Sequence, residues 1–277
     1  MEEVNICGVQ FQSKVRDIEA NVEKAISWLE KAKNEYEADL VVFPESASTG
    51  YNTGLSAAEL HELVDDIPGR TTRPIMEAAR RLDLHVIWPT YERAPENMVY
   101  QSAALIDNTG EVLGVYRKVH PFPAEKDWTR AGDSVDVYDT DIGKIGMMIC
   151  FDGDFAELAR LMGKKGADII VRPSAFLRSY ETWSMTNAAR AYDSRAYLVA
   201  PNQIGIDAGD THYYGHSMIV TPQGRKVAQA LSREEIVHAT VDPSEWDYAS
   251  YGNNIPMLSD HIEMRNEEAY EGLIDRD

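Results

Sequence analysis

Short β-forming runs and amphipathic helical stretches take turns along most of this chain, and that alternation confines it to a layered α/β architecture. Val4-Asn5-Ile6-Cys7-Gly8-Val9-Gln10-Phe11 is rich in β-formers. From Asp17 to Asn34 the apolar residues Ile18, Val22, Ala25, Ile26, Leu29 and Ala32 recur at three- and four-residue steps, which predicts an amphipathic helix. Asp39-Leu40-Val41-Val42-Phe43-Pro44 reads as a short buried strand. Pro44 stops it, so Glu45 emerges just beyond the strand end. A helix over Arg73 to Leu82 then precedes a strand from His85 to Tyr91. Two more strands, Val99 to Ile106 and Val112 to Lys118, flank the hairpin turn Asp107-Asn108-Thr109-Gly110.

The second half repeats the plan. Ser134 to Tyr138 and Gly143 to Cys150 form a strand pair joined by Asp139-Thr140-Asp141. A helix from Phe155 to Lys165 is closed by Gly166 and leads to the strand Asp168 to Arg172. Next come a helix over Thr182 to Asp193 and a strand from Ala196 to Pro201. Gly215 to Thr221 and Val227 to Ala230 turn through Pro222-Gln223-Gly224, and Glu235 to Val241 is a last strand. Hairpins mixed with helix–strand units predict layered sheets covered by helices, not one parallel doubly wound sheet. With no repeat and no low-complexity linker, residues 1–277 are expected to form a single domain. The polar, aromatic tail 246–277 is expected to pack on a neighbouring subunit.

The net charge of −19 argues against nucleic acid as a partner, since that needs basic patches. No apolar run approaches the roughly 18 residues of a membrane span. The opening Met1-Glu2-Glu3-Val4 lacks the basic and apolar segments of a secretory signal, so a cytoplasmic location is expected. Of the two cysteines, Cys7 falls in a buried strand, while Cys150 ends a strand just before polar, turn-forming residues. Neither has a second thiol or a histidine at ligand spacing, so neither a metal site nor a disulfide is expected.

Three positions share one geometry, a reactive side chain at the end of an apolar strand: Glu45 after Val41-Val42-Phe43-Pro44, Lys118 after Val115-Tyr116-Arg117, and Cys150 after Ile145-Gly146-Met147-Met148-Ile149. Alone, each is an ordinary strand terminus; together they suggest a site, because α/β active sites gather at strand ends. A thiol is mostly protonated at neutral pH and needs a base or a cationic neighbour. A carboxylate can take that proton and return it to a leaving amine. A lysine can neutralise the oxyanion of a tetrahedral intermediate, and the Phe151 N–H, in the turn after Cys150, is a second donor.

The motifs Phe43-Pro44-Glu45, Tyr116-Arg117-Lys118-Val119-His120 and Gly146-Met147-Met148-Ile149-Cys150-Phe151-Asp152 resemble those of the nitrilase superfamily of carbon–nitrogen hydrolases. Gly166-Ala167-Asp168-Ile169-Ile170, Asn187 with Arg190-Ala191, Asn202 and Gly215-His216-Ser217 extend the resemblance over essentially the whole chain. It implies a four-layer αββα sandwich, homodimers or larger homo-oligomers that extend the sheets, and a Glu45–Lys118–Cys150 triad with no metal and no organic cofactor. Ala156 departs from the proline that many relatives carry there, and Glu157 is read as a surface or capping residue.

His120-Pro121-Phe122-Pro123-Ala124-Glu125 and Trp128 look most like the aliphatic amidase and formamidase branch. That likeness implies Glu125 as a second glutamate orienting substrate and nucleophile. Phe151, Asp152, Arg172 and Tyr51 are the expected substrate contacts, with Arg178 also a candidate for the pocket lining. His120 is read as a supporting loop residue, and Trp183, Tyr192 and Tyr197 as core and interface. His212 and His216, four apart but in a strand pattern, are not read as a metal pair. The expected reaction is hydrolysis of a small amide through a thioester, releasing ammonia. An N-carbamoyl (ureido) acid is the alternative substrate, and a nitrile fits the amidase-like loop less well. A non-catalytic binding member of the fold would have lost one of Glu45, Lys118 and Cys150, and all three are present.

Overall fold

Two β-sheets stack face to face with helices on both outer sides; the computed structural model describes residues 3–242, 249–250, 256–257, 261–266 and 268–269. The first half supplies β1 (Val4–Gln10), α1 (Ile18–Tyr36), β2 (Leu40–Val42), α2 (Ala57–Leu63), α3 (Arg73–Leu82), β3 (His85–Ala94), β4 (Met98–Ile106), β5 (Val112–Arg117) and β6 (Thr129–Arg130). The second supplies β7 (Val137–Thr140), β8 (Gly143–Met147), α4 (Ala156–Lys164), β9 (Ile169–Val171), α5 (Tyr180–Ser194) and β10 (Tyr197–Ala200). It continues with β11 (Ile204–Ile206), β12 (His212–Tyr214), β13 (Met218–Val220), β14 (Lys226–Gln229) and β15 (Glu235–Val241). One sheet has the order β15-β1-β2-β3-β4-β5 with β6 beside β4; the other runs β14-β13-β10-β9-β8-β7.

Two-residue alternation within the strands sets the layers. Ile6, Leu40, Val42, Ile87, Ala103 and Leu105 join a core with Met147, Val199 and Ile219 of the second sheet and with Leu158, Met162 and Trp183 of α4 and α5. Their neighbours Cys7, Val9, Val41, Phe43, Val86, Trp88 and Ala104 form a second core with Val22, Ala25 and Leu29 of α1 and Ile75 and Ala79 of α3. The result is the expected αββα sandwich. Helix α1 starts where the Asp17 carboxylate accepts from the Ala20 N–H at 3.2 Å, and ends at Glu37 in the left-handed region.

Strand direction positions the site. β1, β2 and β3 are parallel, as are β8, β9 and β10, and β5 runs with β3 because both are antiparallel to β4. Glu45, Lys118, Cys150 and Ala175 therefore follow the carboxyl ends of β2, β5, β8 and β9. The hairpin before Cys150 differs from its sequence reading. Thr140 pairs with Gly143, so Asp139 and Thr140 lie within β7 and the turn is Asp141-Ile142. The Thr140 hydroxyl, 2.6 Å from the Gly143 carbonyl, ties this turn together. Helix α2, begun by the reciprocal Ser56–Glu59 capping box, and the hairpin β11–β12 complete the fold. Most of the tail 246–277 lies outside the described residues. Among the described residues no helix is long and apolar enough to cross a membrane.

Candidate active site

Glu45 is placed by the end of β2. The Phe43 N–H still donates to the Ile87 carbonyl at 3.2 Å, while Pro44 offers no N–H to carry the ladder on. Lys118 follows β5, its N–H donating to the Gln101 carbonyl at 2.8 Å and its carbonyl accepting from Gly132 at 2.8 Å. Glu125 ends a one-turn helix, Pro123–Glu125, and its Oε1 accepts from the Phe122 N–H at 2.8 Å. The three side chains converge in the interior. Lys118 Nζ lies 2.8 Å from Glu45 Oε1 and 2.7 Å from Glu125 Oε1. Glu45 Oε2 accepts from the Ala175 N–H of the opposite sheet at 2.8 Å, which joins the two sheets at this point.

All three are essentially out of reach of water. A buried charge is tolerable only with a partner, and here one ammonium serves two carboxylates. Burial raises the Glu45 pKa and the Glu125 charge adds to the rise, against the pull of Lys118. For Lys118 burial works in the opposite direction, but Glu125 and then Glu45 outweigh it and hold the ammonium well above its usual pKa. The cluster is thus a fixed cation beside a carboxylate biased toward accepting a proton.

Cys150 is presented by a strained turn. β8 ends at Met147, three residues sooner than the sequence suggests, and the Cys150 N–H donates to the Pro173 carbonyl at 2.9 Å. Its φ of 45° is left-handed, a conformation that costs a non-glycine residue about 1–3 kcal/mol unless the surroundings enforce it. Arg172 and Asp152 enforce it. Arg172 Nε donates to the Cys150 carbonyl at 2.8 Å, and Nη1 donates to Thr186 Oγ1 at 2.8 Å and Asn187 Oδ1 at 2.7 Å. Gly153 leaves room for this, since a Cβ there would stand 2.0 Å from Arg172 Cζ. The Asp152 carboxylate accepts from Tyr116 Oη at 2.7 Å, the His120 N–H and Nδ1 at 2.9 Å each, and the Ile149 N–H at 3.0 Å. The turn is thereby pinned to the segment carrying Lys118. The His120 ring in turn stacks on Phe155 with centroids 3.6 Å apart, the supporting role read from the sequence.

The expectation that Asp152 and Arg172 touch substrate is corrected by these contacts. Both are fully buried; the Asp152 carboxylate and Arg172 Nε hold the Cys150 turn, Arg172 Nη1 is spent on Thr186 and Asn187, and neither residue is among those that wall the cavity. Tyr51 and Phe151 do line it. Cys150, 8% exposed, opens onto a cavity walled by Tyr51, Phe122, Phe151 and Phe176, with Ala175, Leu177 and Arg178 completing it. The space free for water-sized contents is about 10 Å³, the least that one water needs. Lys118 Nζ sits 5.8 Å from the Tyr51 ring centroid. Burial, then Glu45, push the Cys150 thiol well above its ordinary pKa, while Lys118 and Arg172 oppose them. The resting group is therefore a neutral thiol within the electrostatic reach of a base and a cation.

Sequence reasoning missed the Ala175 N–H and the walls Phe176 and Leu177. Their signal was available: Pro173-Ser174-Ala175 follows the apolar run Ile169-Ile170-Val171 just as Glu45 follows its own strand. His212 lies in β12 and His216 beyond it, and among the described residues no three His, Cys, Asp or Glu side chains group as metal ligands.

Against this geometry, the family described as carbon–nitrogen hydrolase matches residues 6–251. A nitrilase of Pyrococcus abyssi is 33% identical over 270 residues, covering 96% of this chain and 99% of its own. A formamidase of Bacillus thuringiensis is 32% identical over 249 residues, covering 86% of this chain and 74% of its own. Among solved structures, Saccharomyces cerevisiae Nit3, a member of branch 10 of the nitrilase superfamily, superposes with a TM-score of 0.80 at 29% identity. That match covers 88% of this chain and 92% of Nit3.

Proposed function

We propose that this chain, which belongs to the carbon–nitrogen hydrolase family of the nitrilase superfamily, hydrolyses a small carboxamide through a thioester on Cys150. One observation carries the reading: Lys118 is held between the buried carboxylates of Glu45 and Glu125, in the electrostatic field of the one cysteine that opens onto a cavity. The similarity to a formamidase supports an amide as the substrate.

The thiol proton passes to Glu45 as Sγ attacks the amide carbonyl carbon. The carbonyl electron pair becomes an oxyanion that the Lys118 ammonium and the Phe151 N–H stabilise. No protein acceptor meets that N–H among the described residues, which leaves it available. As the tetrahedral intermediate collapses the C–N bond breaks, and Glu45 gives its proton to the departing nitrogen, so ammonia leaves. A water then loses a proton to Glu45 and attacks the thioester. The C–S bond breaks, the carboxylic acid departs, and the proton on Glu45 returns to sulfur. Glu125 keeps Lys118 aimed and protonated throughout.

An N-carbamoyl acid is the second reading, favoured by one feature, the presence of Arg178 in the cavity wall. Ammonia release from panels of short amides and ureido acids tests both. Wild-type protein should release ammonia from at least one panel and Cys150→Ala from neither; equal release by the two proteins would end the hydrolase reading for these substrates.

A further inference from the structure

Among the described residues, each cation around the cavity is faced by a carboxylate. Lys118 is shared by Glu45 and Glu125, and the second polar cluster is its inverse, with Asp154 placed between two arginines. Asp154 Oδ1 lies 2.6 Å from Arg178 Nη2 and 3.6 Å from Arg172 Nη2. Three cations therefore border the site against three carboxylates, and Asp152 adds a fourth carboxylate held by neutral donors and His120. Arg190, which donates to the Gly153 carbonyl at 2.9 Å, is matched by Asp193 at 2.6 Å. Among these described residues no positive charge is left over.

Among the described residues, Arg178 is the arginine that reaches the cavity. Its guanidinium carbon lies 4.7 Å from the Phe176 ring centroid and 5.7 Å from that of Phe151, so the group is fixed against two walls. A substrate carboxylate approaching it would meet Asp154 on the same nitrogen. Such a carboxylate would lose its hydration among aromatic walls without gaining an unshared counter-ion. An uncharged acyl chain bears no such cost. Freed of Asp154, the same guanidinium would offer a planar fork suited to a carboxylate.

We propose that Asp154, by holding Arg178, determines specificity: the site selects uncharged short-chain amides and rejects amides that carry a carboxylate. The inference rests on the amidase reading above and names its substrate class. Butyramide and succinamate, equal in chain length and differing in one terminal carboxylate, are the probes. Wild-type kcat/KM should favour butyramide by at least about tenfold, with the difference in KM. Asp154→Asn should shrink that ratio at least about tenfold through the KM for succinamate, and adding Arg178→Met should restore it. Should Asp154→Asn fail to fold, Asp154→Ser, smaller and equally uncharged, serves for the same comparison, and an unchanged ratio in that folded protein overturns the inference as well.

Wild-type protein that takes succinamate as readily as butyramide overturns the inference. So does a folded Asp154→Asn protein with an unchanged ratio. If the wild type hydrolyses neither amide, the amidase reading falls separately. Affinities of Cys150→Ala and of Cys150→Ala/Asp154→Asn for the two amides, measured by calorimetry, then decide the charge inference by the same ratio.

Discussion

Replacing Lys118 with methionine removes the ammonium that two buried carboxylates share while keeping most of the side-chain volume. Removing one partner of a buried ion pair costs about 3–5 kcal/mol, because the other charge is left without compensation. Relief comes through protonation. Burial already raises the Glu45 pKa in the intact protein, and losing the Lys118 contribution raises it further. A carboxyl whose folded pKa exceeds its unfolded value binds more protons when folded. Its cost is absent below the unfolded value near 4.3 and grows as pH rises toward the folded pKa, by about 1.4 kcal/mol per pH unit. Urea unfolding followed by tryptophan fluorescence should therefore show a deficit for Lys118→Met of about 3–5 kcal/mol near neutral pH that shrinks as pH falls toward the unfolded carboxyl value. A deficit below about 1 kcal/mol that does not change with pH would refute the shared-cation account of this cluster.

Glu125→Gln keeps an oxygen for Lys118 and for the Phe122 N–H but removes the second negative charge, so kcat should fall about 100-fold or more with the fold intact by circular dichroism. Unchanged turnover would reduce Glu125 to a structural acid. Gly153→Ala drives a methyl to 2.0 Å from Arg172 Cζ, where the guanidinium is held by Cys150, Thr186 and Asn187. Thermal melts should show a loss of about 2 kcal/mol or more together with reduced ammonia release, and a fully tolerated alanine would show that Arg172 is free to move. Because burial and Glu45 raise the Cys150 pKa, its alkylation by iodoacetamide in the free protein should keep accelerating through and above the ordinary thiol range near 8.5. A plateau at neutral pH would mean a resting thiolate.

Strand-end chemistry was legible in the sequence because it is local. Pro44 stops β2 one residue before Glu45, and the apolar run before Cys150 ends in turn formers, so each reactive side chain announces its place just beyond a strand end. The layers were legible for a similar reason, since the β-forming run of β1 reads as a strand buried on both faces and the helical periodicity of α1 points one face inward. Asp152 and Arg172 show where this stops. Both stand beside the nucleophile in the chain or at the next strand end, which suggests contact with substrate. Whether such a side chain faces the cavity or the core behind it depends on partners such as Tyr116, Thr186 and Asn187, which only the tertiary fold brings near. The Asp141-Ile142 turn is a smaller case, in which pairing register shifted a turn that composition placed among the aspartates.

The proposed hydrolysis requires a covalent bond between the substrate acyl group and Cys150. Wild-type protein mixed with excess butyramide, quenched in acid within milliseconds and weighed intact is the direct test. The expected mass gain is one butyryl group less the thiol hydrogen it replaces, mapped by peptide analysis to Cys150 and absent from Cys150→Ala. Ammonia release with no adduct on Cys150, or with the acyl group on Lys118 or Cys7 instead, would contradict it.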